Sequence, residues 1–89
     1  MEARIDCLVL KDNTVLISQV VEVDAELGDP DWKLIQPFEI KKHIDSDYSL
    51  IRWMSDFTDQ TTFLINSENI LTVINPKKEY LKSYVDLIS

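Results

Sequence analysis

The sequence predicts one small, mostly-β domain finished by a single C-terminal helix. Three observations carry that prediction. Ile, Val and Thr supply 22 of the 89 residues while Ala supplies 2, and branched side chains suit a pleated strand better than a helix. Apolar residues recur at alternate positions through most of the stretch from Ile5 to Ile65, interrupted by short polar turns. After Asn75-Pro76 the apolar spacing changes to threes and fours, the period of a helix.

The first strand is expected over 5–10, with Ile5, Cys7 and Val9 on one face and Leu8 and Leu10 on the other. Lys11-Asp12-Asn13 is turn material, since Asp and Asn accept left-handed geometry and bond their own backbone. A second strand over 14–24 completes a hairpin. Residues 25–31 are acidic, hold the only glycine and read as a solvent loop. A third strand over 32–40 contains Pro37, which requires an edge, a bulge or a bend there. After a polar loop, a fourth strand is expected over 48–57, resuming over 61–65 beyond a turn. The last strand, 70–74, carries Ile70, Leu71, Val73 and Ile74 and so is apolar on both faces. A strand of a lone small sheet normally shows one face to water, so the terminal helix or another subunit must cover the second face. The helix is expected over 76–88, capped by Asn75 with Pro76 at its first position. Leu81, Tyr84, Val85 and Ile88 form its apolar stripe.

All of residues 1–89 therefore read as a single domain of 10.4 kDa. A chain of this size buries only roughly 60–65% of its unfolded surface, so a partner would help to stabilise it. With 16 acidic against 9 basic residues, the formal charge is −7. That balance argues against wrapping duplex DNA, which needs many neutralised phosphates. One cysteine rules out an internal disulfide framework and a thiolate metal site. No apolar run is long enough to span a membrane, and the first residues lack a secretory pattern. The expectation is a cytoplasmic protein that does not engage membranes.

Little in the sequence suggests catalysis. Cys7 reads as a small buried hydrophobe, and the single His43 as a solvated loop residue beside Asp45 and Asp47. Gly28 stands alone among acids, the wrong field for a phosphate loop. Trp32 and Trp53 read as core or interface residues. Arg52 next to Trp53 would point to the opposite face of an extended strand. No enzyme, cofactor or metal is expected.

Three segments together resemble the two halves of the Sm/LSm-like family: Val9–Leu16 around the first turn, the long second strand ending at Asp24, and Ile65–Ile74. The chain is most similar to small Sm-like proteins of cyanophages and marine T4-like phages. The resemblance implies an Sm-like (SH3-type) small open barrel of five bent antiparallel strands with, here, a C-terminal helix. It also implies a cyclic homo-oligomer in which the fourth strand of one subunit pairs with the fifth of the next. Ile70, Leu71, Val73 and Ile74 are then the candidate interface. The implied function is single-stranded RNA binding or RNA processing, in the host cytoplasm if the chain is of phage origin. Its candidate contacts are Asp24, at the position of the family's first loop acid, and Asn66, Ser67 and Asn69 before the last strand. Asn66-Ser67 stands where the family carries Arg-Gly or Lys-Gly, which keeps hydrogen-bonding capacity but removes a cation. The alternative is a non-catalytic protein-interaction scaffold on the same ring, with host or phage proteins as partners.

Overall fold

A computed structural model describes residues 4–89; residues 1–3 of the expected domain lie outside the described residues. Six strands form one antiparallel sheet: β1 (Arg4–Leu10), β2 (Val15–Glu22), β3 (Trp32–Lys42), β4 (Tyr48–Arg52), β5 (Thr62–Ile65) and β6 (Ile70–Ile74). The helix α1 (Lys78–Ile88) follows. Strand order is β4-β3-β2-β1-β6, with β5 paired to β3 off that path. The sheet curves but does not close, because β5 and β6 pair with β3 and β1 and not with each other.

The β1–β2 hairpin forms as the sequence predicts. Asn13 takes a positive φ of 71°, Asn13 N–H donates to the Leu10 carbonyl at 2.9 Å, and the Asp12 carboxylate accepts from Thr14 N–H at 3.0 Å. This is the local Asx bonding that makes Asp-Asn a turn signal. The bond also holds the Asp12 carboxyl below its ordinary pKa.

Pro37 marks a bend. Gln36 before it has a φ of 53°, and β3 changes partner at this point. Its first half, Trp32 to Ile35, pairs with β5, and its second half, Phe38 to Lys42, pairs with β4. On β2 the register shifts between Ile17 and Gln19, which leaves Ser18 in a bulge against the same place. Bulges bend a strand and raise its twist, so the two irregularities fold the sheet over on itself. They also free backbone groups that need partners. Ser18, fully buried, directs its hydroxyl at the Gln19 and Ile35 carbonyls, at 2.8 and 3.2 Å. The Tyr84 hydroxyl of α1 accepts from Gln19 N–H at 3.1 Å and is oriented to the Ile35 and Gln36 carbonyls at 3.1 and 2.8 Å.

Apolar groups consequently fill both sides of the sheet. Leu8, Leu16, Val20 and Leu34 form a core on the concave side, bordered by Trp32, Trp53, Ile65 and Ile70. Cys7, Ile17 and Tyr84 form a second core under the helix, bordered by Phe38, Tyr80 and Ile88. The alternation of Cys7 and Leu8 in β1 places one in each core. Burial pushes the Cys7 thiol above its ordinary pKa, consistent with an inert structural cysteine.

Three expectations need correction. The fourth strand was expected to run to 57 but ends at Arg52: Met54 takes a φ of 62°, and Phe57 and Thr58 N–H groups bond back to the Met54 carbonyl. Ser55 and Phe57 N–H groups thus bond back within the turn while Trp53 N–H reaches the Pro37 carbonyl, and the sheet has six strands where five were expected. The second strand stops at Glu22, short of Asp24, because Val23 N–H turns to the Asp31 carbonyl and closes the loop. The helix starts at Lys78, with Lys77 extended at its N-cap and no side-chain cap from Asn75. Asn75, which precedes a proline, is biased to extended backbone, and Pro76 and Lys77 carry the chain from the sheet edge to its outer face. Of the helix stripe Tyr84 is buried and Tyr80, Leu81 and Ile88 are half-buried, while Val85 is exposed.

The bend makes a direct prediction. Tyr84→Phe keeps the ring in its slot but removes the hydroxyl partner of the part-buried Gln19 N–H, at a cost of about 1 kcal/mol. Urea unfolding of the variant should show a lower midpoint with an unchanged slope. An unaltered midpoint would show that the hydroxyl does not hold the bend.

Candidate nucleic-acid interface and subunit edges

The loop 23–31 and the segment before β6 meet at one end of the sheet. Asn66, Ser67 and Asn69 belong to a short 3-10 turn, Ser67–Asn69, which Asn66 caps by accepting from Glu68 N–H at 2.9 Å. Asn66 also donates through Nδ2 to the Gly28 carbonyl at 3.1 Å. Ser67 is held twice by Asp31: its N–H and its hydroxyl each donate to one carboxylate oxygen at 2.7 Å. These bonds, the side-chain bond from Ser67 foremost, hold the Asp31 carboxyl below its ordinary pKa of 3.8. Asp31 N–H donates to the Ile65 carbonyl at 3.2 Å, which ties the clamp to β5. Gly28 has a φ of 91°, which a side chain would strain, so glycine is favoured at the loop tip.

The four candidate contacts are brought to one neighbourhood in different states. Asn66 and Ser67 are engaged within the chain. Asn69 is exposed and binds neighbours through its backbone, donating to the Asn66 carbonyl and accepting from Lys11 N–H, both at 3.0 Å. Asp24 lines an open depression with Glu26 and Asp29 and makes no direct bond to Asn66 or Ser67. The residues that join the two segments are Gly28 and Asp31. Sequence reading missed Asp31, and no local signal could supply it, because its partner lies 36 positions away. The loop carries Asp24, Glu26, Asp29 and Asp31 with no cation between them in the sequence, and Arg4 lies at its base over the Trp32 ring.

The candidate interface strand is open. Along β6, Ile70 packs on the concave core, while Leu71, Val73 and Ile74 are 62%, 39% and 48% exposed. Val73 lies opposite Leu8 and Ile74 opposite Cys7, so the two point to opposite sides of the sheet. The helix does not cover this second apolar face. Across the gap, β5 presents Leu64 at 59% exposure. Both strands leave one edge of backbone N–H and C=O groups without a strand partner.

Arg52 and Trp53 do not diverge as an extended strand would require. The strand ends between them, Trp53 N–H donates to the Pro37 carbonyl at 3.0 Å, and both side chains border one small cavity. His43 bonds Ser49 at 2.8 Å, and among the described residues no group of three His, Cys, Asp or Glu side chains is placed to hold a metal. Among the described residues no helix is long and apolar enough to cross a membrane.

The chain belongs to a family of unknown function, DUF6561, whose profile matches residues 3–89. No curated protein matches it.

The Asp31 clamp predicts a pH dependence. A carboxylate with a depressed folded pKa stabilises the fold above its ordinary value, and that contribution is lost as pH falls through the folded value. The parent should therefore lose stability relative to Asp31→Asn as pH drops below about 4. Thermal melts of both chains across pH 2.5–6 check this, and parallel curves would contradict the clamp.

Proposed function

We propose that this chain is an Sm-like subunit, a small open barrel of bent strands, which assembles into a closed cyclic homo-oligomer and binds single-stranded RNA without catalysing a reaction. The observation that carries the reading is the pair of free, apolar strand edges on either side of the gap, β5 with Leu64 and β6 with Leu71, Val73 and Ile74. Exposed strand edges are templates for pairing and are normally blunted by charge, proline or a covering element. Neither edge carries a charged residue or a proline. Pairing β6 of one copy with β5 of the next would satisfy both edges, and heterologous contacts of this kind close into rings. In the family resemblance the same two regions join neighbours. The phage likeness and a cytoplasmic setting belong to this same proposal.

Around such a ring the 23–31 and 66–69 segments would repeat about one axis, each copy offering Asn69, Asn66 and Asp24 at its surface. Amide groups can pair with base edges but do not neutralise phosphate. RNA binding is therefore base-led, with a shallow salt dependence, and repetition raises its avidity. A second reading, a protein-interaction scaffold on the same ring, is favoured by one specific observation: Asn66 and Ser67 are already bonded to Gly28 and Asp31 in an acidic setting.

Two measurements test the proposal. Light scattering should return a single mass larger than a dimer, and Val73→Asp should reduce it to the monomer; a monomeric parent would overturn the ring. Filter retention of oligo-uridine at 50 and 200 mM salt should show modest, weakly salt-dependent binding that weakens in Asn66→Ala/Asn69→Ala. Absence of retention for every oligonucleotide would replace the RNA reading with the scaffold.

A further inference from the structure

A cavity of about 120 Å³ lies among the β3 bend, the 53–61 turn and the end of α1, and it shares no lining residue with the 23–31 and 66–69 loops. Its volume corresponds to roughly four waters at about 30 Å³ each. That is room for a single ring, well short of the ~300 Å³ of a drug-sized site. Three aromatic side chains border it. Trp53 and Phe63 meet with ring centres 5.1 Å apart at 59°, and Phe38 is braced edge-on by Tyr84 at 5.8 Å.

The polar groups at this cavity are incompletely used. Gln36 Oε1 accepts from Gln19 at 3.1 Å, which leaves the Gln36 amide N–H groups as donors. Gln60 Nε2 donates to the Thr62 carbonyl at 2.6 Å, which leaves Gln60 Oε1 as an acceptor. Arg52 is exposed at the same cavity and has no acidic partner among the described residues. An aromatic enclosure of one-ring size, one free donor, one free acceptor and an unpaired cation are the complement of a pyrimidine nucleotide. Bases stack on aromatic faces, their edges pair with amides, and a guanidinium takes phosphate. An apolar side chain from a protein would fill the same space but answer neither the Gln36 N–H groups nor Gln60 Oε1.

We propose that this cavity binds one pyrimidine base, with Arg52 on the attached phosphate. The inference deepens the RNA reading by giving each protomer a second contact surface, and rests on it only for the source of the nucleotide. The cavity is complete within one chain and does not require the ring.

The test follows the two tryptophan indole signals by NMR in the full chain, titrated with uridine monophosphate, uridine, ribose 5-phosphate and a uridine hexamer. Uridine monophosphate should shift the Trp53 indole and the Gln36 and Gln60 amides and leave the Trp32 indole in place. Uridine should bind about five- to tenfold more weakly, and Arg52→Gln should weaken the monophosphate by a similar factor while leaving uridine unchanged. Gln60→Leu should weaken both ligands with the rest of the spectrum retained. The hexamer reproducing the Trp53 shift assigns the site to an RNA strand; the mononucleotide alone producing it assigns a free nucleotide. Asn66→Ala/Asn69→Ala should leave the Trp53 shift intact, so failure of the loop reading stays distinct from failure of the cavity. Equal shifts from ribose 5-phosphate and the monophosphate would overturn the proposal, as would tighter binding of an acidic phenylalanine-containing peptide at the same signals.

Discussion

The hydroxyl of Tyr84 meets the sheet where β2 and β3 lose their regular ladder, and the rest of the fold depends on that meeting. A bulge at Ser18 and the positive φ at Gln36 let β3 serve two partners, but they free backbone groups beneath the helix. One phenolic group engages Gln19, Ile35 and Gln36 together, while Ser18 completes the set from within the sheet. Burial raises the Tyr84 pKa above its ordinary 10.0 and keeps the proton available for donation. The same ring packs edge-on against Phe38 and fills the core under α1. Polar satisfaction and apolar packing are thus delivered by a single side chain. The bend divides one edge of β3 between β5 before it and β4 after it, and Ile65 of β5 borders the concave core of Leu8, Leu16, Val20 and Leu34.

Bending the sheet without closing it leaves a small chain with two obligations it does not meet alone. The edges of β5 and β6 are unpaired, and β6 is apolar toward both sides. Assembly between copies would answer both with one contact. The charge distribution suits such an assembly: the net charge of −7 keeps copies apart in unproductive orientations, while the β6 edge itself carries no charge to repel a partner strand. The acids of the 23–31 loop are kept for the end of the sheet, where Asp31 organises the neighbouring turn.

Elements whose bonding is local were legible in the sequence. The Asp12-Asn13 turn forms through its own side chain and backbone, and Pro37 announced the bend because a missing N–H and a fixed φ have few uses within a strand. The period of the helix was visible, but its start was displaced by Pro76 and Lys77 continuing extended. Residues 53–57 misled because Trp53, Met54 and Phe57 are apolar enough for a strand, while their bonds close back on Met54 and Pro37. The Asp31–Ser67 clamp and the Tyr84 anchor were not legible at all. Both join residues dozens of positions apart, and neither Asp31 nor Tyr84 differs locally from an ordinary loop acid or helix aromatic.

Amide exchange read strand by strand addresses the central claim, that the free edges of β5 and β6 pair between copies. In β6 the N–H groups that do not bond to β1 face outward, as do those of β5 that do not bond to β3. Deuterium exchange should find these amides slow at high protein concentration and fast on dilution below the assembly midpoint, while the β1–β2 hairpin stays protected throughout. Outward amides of Thr62–Ile65 and Ile70–Ile74 that exchange rapidly at every concentration would contradict the account.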